Sequence, residues 1–158
     1  MTRRYARAPR GRRALGAAPC GRWRRLTVLG ALGTEGVVAA MSVEAATSTA
    51  MFLAFLDRVL APELVGTKPN AVVVMDNLRP HKVAAVRARL EAAGLRLLYL
   101  PRYAPELAPI EPCWAKVKAR LRATAARTIE ALDAALDAVT ARDARGFFRG
   151  CGYAVAPN

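Results

Sequence analysis

Residues 70–82 read "NAVVVMDNLRPHK": an apolar run that stops on Asp76, followed by Asn77, a proline and His81, the single histidine of the chain. A short continuous apolar run of this kind predicts a strand over 70–76 buried on both faces, as in a parallel sheet. In open α/β sheets, functional groups gather at the carboxyl ends of strands, which is where Asp76 falls. A strand-terminal Asp-Asn pair is also ordinary turn chemistry, so by itself Asp76 decides little.

Working outward, a helix is expected from about His81 to Ala93, with Val83, Val86 and Leu90 on one face and Gly94 ending it. "LRLLYL" (95–100) predicts a second buried strand, and a strand–helix–strand unit implies a parallel pair with a right-handed crossover. Upstream, Trp23–Leu32 and "VVAAMSVE" (37–44) read as a hairpin around the turn residues "GTEG" (33–36). Thr47 or Ser48 can cap a helix through about Leu60, closed by Pro62. Beyond the second buried strand lies a proline-punctuated loop, then helices over about 112–125 and, capped by Thr128, 128–141. The order is α/β with a mixed sheet.

The chain has 158 residues, 54% hydrophobic and 23% charged, which excludes a disordered chain and allows one domain with a true core. Its +13 formal charge is unevenly placed: residues 1–25 hold nine arginines and no acid. We therefore divide it into a basic arm, 1–21, and a folded part, 22–158. Such an arm suits a polyanion, nucleic acid before acidic membrane, although GC-rich coding also yields arginine. The three cysteines are scattered and contain no C-x-x-C, so neither a disulfide framework nor a zinc site is indicated, and a reducing compartment fits. The apolar stretch 36–56 is interrupted by Glu44 and by Thr47-Ser48-Thr49, which excludes a membrane span.

The second chemical element is "LPRYAPELAPIEPCW" (100–114), a stiff loop that delivers Glu111 to the first turn of a helix, where the positive helix end favours a carboxylate. Thirty-four residues separate Asp76 from Glu111. Two carboxylates presented from a strand end and a helix start can converge on a hard cation such as Mg²⁺. Paired ions in a carboxylate site stabilise both oxygens of a phosphodiester displacement.

These segments, "VVVMDNLRPHK", "LRLLYLPRYAPELAPIEPCWAKVKARLR" and "GRWRRLTVLGALGTEG", resemble the catalytic domain of mariner-type DDE transposases, in the branch found in bacterial insertion sequences. The resemblance extends to "ARDARGFFRGCGY" at 141–153. It implies a ribonuclease-H-like mixed sheet flanked by helices and Mg²⁺- or Mn²⁺-dependent strand cleavage and strand transfer. Asp76 is then the second catalytic, metal-binding acid and Glu111 the third, with His81 and Asn77 auxiliary. His81 could orient a carboxylate, contact DNA or cap the following helix. The family's first Asp lies on a central strand ahead of the arginine-rich segment, and no acid precedes Glu35 in this chain. The expectation is therefore a C-terminal part of the catalytic domain, without that strand and inactive alone. Ala104, Glu106 and Ala108 stand where the family loop usually has Ser, Asp and Asn.

The implied partners are DNA (transposon ends and target), an upstream-encoded N-terminal half and, optionally, a second copy in a homodimer; no membrane is involved. The implied location is the bacterial cytoplasm, on the nucleoid when DNA is bound. Candidate DNA contacts are Arg3, Arg4, Arg7, Arg10, Arg12 and Arg13 of the arm and Lys116 and Arg120 on a helix that could equally be a solvated face. The competing function is a non-catalytic, sequence-independent nucleic-acid-binding fragment, or a transposon relic.

Overall fold

The structure, a computed structural model, describes residues 5–16, 26–125 and 128–156. Strands β1 (Thr27–Gly33) and β2 (Gly36–Val43) form an antiparallel hairpin that turns over Thr34-Glu35. Gly36 permits the turn because its φ of 131° is closed to most side chains. The expected start of β1 at Trp23 falls outside the described residues. Strands β3 (Val72–Met75) and β4 (Arg96–Tyr99) pair in parallel, joined by a 3₁₀ turn (Arg79–Lys82) and helix α3 (Ala84–Ala92), with Gly94 (φ 73°) at its end. Among the described residues these are two separate two-stranded sheets.

Between β2 and β3 the chain is helical for longer than expected. Ser48 Oγ accepts from the Met51 N–H and caps α1 (Thr49–Phe55), which passes through a π-helical turn (Leu56–Leu60) into α2 (Ala61–Thr67). Pro62 therefore does not close the helix. It lies in the first turn of α2, and the widened π turn before it absorbs the missing N–H and the bulk of the ring.

The C-terminal part comprises α4 (Ile110–Ala123), α5 (Ile129–Asp137, capped by Thr128) and α6 (Ala141–Gly150). Helix α6 is absent from the sequence expectations, yet Thr140 and Asp143 form its capping box, a T-x-x-D signal legible in sequence.

The hairpin is covered on both faces, with the strand period of two sorting its residues. Leu29 and Ala31 pack into a core built on Phe52, Phe55, Leu56, Leu60, Val86 and Leu90. Val28 and Leu32 pack into a second core of Cys113, Val117, Leu132 and Leu136. Between them on that side is Gly30, where an added Cβ would stand 2.9 Å from the Trp114 ring, so α4 approaches as closely as it does because Gly30 has no side chain.

The β3–β4 pair differs. Val73, Leu97 and Tyr99 pack against the first core, whereas Val72, Val74 and Leu98 are 46%, 40% and 56% exposed. The expected two-faced burial of 70–76 and 95–100 is thus not met, because α4 to α6 cover the hairpin but leave this face of β3–β4 open.

Candidate active site

Asp76 directly follows β3. Its Oδ1 accepts from the Leu78 N–H (3.1 Å), the turn expected of an Asx residue, and lies 2.6 Å from His81 Nδ1. The His81 ring packs at a tilt against Phe52, centroids 4.2 Å apart, and its backbone carbonyl accepts from Tyr99 Oη. His81 is thus held by α1 on one side and β4 on the other, and its ring orients Asp76 rather than capping α3, whose N-cap is Val83. Both contacts fall on Oδ1, which leaves Oδ2 available.

Asn77 has a different task from its neighbour. Its Nδ2 donates to the Leu100 carbonyl at 2.5 Å, tying the exit of β3 to the exit of β4. From Leu100 the loop runs through a 3₁₀ turn (Pro105–Leu107) to α4. Tyr153 Oη donates to the Leu107 carbonyl (2.8 Å), and the Glu111 N–H bonds to the Ala108 carbonyl (2.9 Å), which places Glu111, exposed, in the first turn of α4. The helix end there favours an anionic side chain.

Asp76, Asn77, His81 and Glu111 line one cavity of about 960 Å³. Four further residues line it that sequence reasoning did not single out: Arg79, Lys82, Arg102 and Tyr103. "RPHK" follows Asp76 closely, but "PRY" ends eight residues ahead of Glu111, so nothing in the sequence marks the two groups as sharing one cavity. Tyr103 is 99% exposed with φ at 57°. Cys113, two residues beyond Glu111, is buried, and its burial pushes the thiol pKa up, so it is a core group and not a nucleophile.

Two carboxylates with no reactive thiol beside them are donors suited to a hard divalent cation. Among the described residues no three His, Cys, Asp or Glu side chains are grouped closely enough to hold a metal. The predicted DNA contacts divide. Arg7, Arg10, Arg12 and Arg13 are exposed along 5–16, while Arg3 and Arg4 lie outside the described residues. Arg120 is exposed on α4, whereas the Lys116 ammonium is bound to Asp143 Oδ2 at 2.5 Å.

A family model for DDE superfamily endonucleases matches residues 1–133. The chain belongs to this family. Its fold is that of the mariner transposase catalytic domain. The Mos1 transposase paired-end complex with the left transposon end superposes with a TM-score of 0.72 at 21% identity, over 95% of this chain and 46% of that one. The Mos1 strand transfer complex gives 0.73 at 22% identity, again over 95% and 46%. The Mos1 catalytic domain with raltegravir and Mg gives 0.61 at 20% identity, over 78% and 67%. This DDE endonuclease chain therefore spans about half the length of the solved transposase complexes it matches. No curated protein matches it. No helix among the described residues is long and apolar enough to cross a membrane.

Proposed function

We propose that this chain is the C-terminal part of a transposase catalytic domain that cuts and joins DNA with Mg²⁺ or Mn²⁺. The observation that carries it is the common cavity of Asp76 and Glu111, one acid on a strand end and one on a helix start, in a DDE endonuclease fold. Asp76 and Glu111 would hold the cation, which supplies charge stabilisation for the attacking and leaving oxygens. His81 fixes the rotamer of Asp76 by donating Nδ1–H to Oδ1, so the carboxylate is ordered before a ligand arrives. Arg79, Lys82 and Arg102 offset the repulsion between two carboxylates and a phosphate backbone. Transposon ends and target are the DNA partners, and an upstream-encoded N-terminal half would bring the remaining acid, in a bacterial cytoplasm.

The test is paramagnetic broadening of amide resonances by millimolar Mn²⁺. One shared site broadens residues around 76 and 111 together, and Asp76→Asn relieves both. Broadening at the two places with independent titrations, or at neither, would defeat the assignment.

A second reading is favoured by the incomplete ligand set. The chain then binds nucleic acid without cutting it, through the exposed arginines of the arm. Salt-sensitive DNA binding that is indifferent to metal, with no nicking of supercoiled plasmid even when the third acid is restored, supports that reading.

A further inference from the structure

The most exposed large side chain among the described residues is Tyr103, at 99%, and its φ of 57° lies in the left-handed region that bulky residues rarely enter. Tyr99 and Tyr153 each donate Oη to a backbone carbonyl. Tyr103, by contrast, has no hydrogen-bond or ring partner among the described residues. An aromatic side chain without contacts contributes nothing to the core, yet the chain on either side of it is fixed. Leu100 donates its N–H to the Met75 carbonyl and accepts from Asn77 Nδ2. The Ala104 carbonyl accepts from the Leu107 N–H at 3.2 Å. Pro101 and Pro105 stiffen the short span between these anchors. The ring is thus presented to solvent from a backbone held at both ends.

Its surroundings indicate what such a ring meets. Tyr103 lines the cavity that holds Asp76 and Glu111, from the rim, as its exposure requires. Arg102, the preceding residue and also exposed, lines the same cavity with Arg79 and Lys82. The centre of a protein–protein interface is depleted of charge, whereas this ring stands among cations. A bare aromatic face beside a guanidinium is the pairing that binds single-stranded nucleic acid: the ring stacks on a base and the cation meets a phosphate.

We propose that Tyr103 is a stacking platform for one unpaired nucleobase, with Arg102 on the adjoining phosphate. The site then takes a nucleic-acid strand whose bases are unpaired where it crosses the cavity. This rests on the nucleic-acid reading proposed above, and holds whether or not the strand is cut. Inside a duplex both faces of every base are covered by its neighbours, so the ring gains contact only with a base that has left the stack. Every base has a π face, so the platform accepts any sequence. The ring alone is required, and the hydroxyl is dispensable.

The experiment measures binding of a labelled oligo-dT strand and of a long duplex to the full chain by fluorescence anisotropy, in EDTA. Tyr103→Ala should weaken oligo-dT binding about tenfold. Tyr103→Phe should bind like the parent, and duplex affinity should be the same in all three proteins. The arginine arm is identical in each, so its contribution cancels. A strand carrying 2-aminopurine adds a direct signature: the parent and Tyr103→Phe should quench its fluorescence by stacking, and Tyr103→Ala should not. Equal oligo-dT affinity for Tyr103→Ala and the parent, or an equal loss on the duplex, overturns the proposal. So does a Tyr103→Phe protein as weak as Tyr103→Ala, which assigns the contact to the hydroxyl. A parent that self-associates while Tyr103→Ala is monomeric, with oligo-dT binding unchanged, gives the ring to a second copy and likewise overturns it. Metal is absent from these measurements, so the two readings fail separately. Loss of stacking leaves the Mn²⁺ assignment standing, and loss of shared Mn²⁺ broadening leaves the platform standing.

Discussion

His81 Nδ1 lies 2.6 Å from Asp76 Oδ1, and the imidazole is itself wedged against Phe52. A hydrophobic ring from α1 thus backs the imidazole that holds the carboxylate just beyond β3. Removing the imidazole in His81→Ala should weaken Mn²⁺ binding several-fold and cost about 1 kcal/mol of stability, because the Phe52 ring then loses its aromatic neighbour. His81→Asn, which keeps a donor, should restore part of the metal affinity and none of the ring packing. Titration of both variants by Mn²⁺ broadening, together with urea melts, checks the split.

The exposed arm should dominate DNA binding. Substituting Gln at Arg7, Arg10, Arg12 and Arg13 should flatten the plot of log affinity against log salt by about 0.9 for each phosphate that is no longer neutralised. Fluorescence anisotropy across a salt series measures this, and an unchanged slope removes the arm from the binding surface.

Asp143 accepts from the Thr140 N–H and hydroxyl and pairs with Lys116, which holds its carboxyl at about 2, below the ordinary 3.8. The folded value is depressed, so its contribution is complete above about pH 4 and is lost as pH falls toward 2. Asp143→Asn should cost about 1 kcal/mol at neutral pH, as loss of a capping partner does, and the variant should show a shallower fall in melting temperature between pH 4 and pH 2. Thermal melts of both proteins across that range decide it.

Gly30 should not tolerate a side chain. With Trp114 carbon 2.9 Å from an added Cβ, Gly30→Val forces α4 away from the hairpin and should cost about 1–3 kcal/mol. A melting temperature equal to the parent's would show that α4 does not pack there.

Local signals in the sequence carried the hairpin turn at 33–36, the Ser48 and Thr128 caps, the Gly94 stop and the parallel β3–β4 pair, because each depends on chemistry within a few residues. That Asp76 follows a strand and Glu111 opens a helix was legible from the ends of elements. Three features were not. The helix runs past Pro62 because a π turn compensates for it, and no propensity rule reports a π turn. Val72 and Val74 look like core residues, but which face a helix covers is settled by elements distant in the chain. The cations beside the acids were not legible either, because only the folded chain brings Arg79 and Arg102 to one cavity.

The amide of Asn77 on the Leu100 carbonyl changes what separates the two acids. Along the chain they are 35 positions apart, but this bond short-circuits the interval between 77 and 100. Positional error in α3 or in the turn at Gly94 is therefore grounded before it reaches Glu111, and only the proline-stiffened run from Pro101 to Pro109 transmits any. The Asn77 amide and the Met75–Leu100 backbone bond together tie the strand end behind Asp76 to the strand end from which the loop toward Glu111 departs.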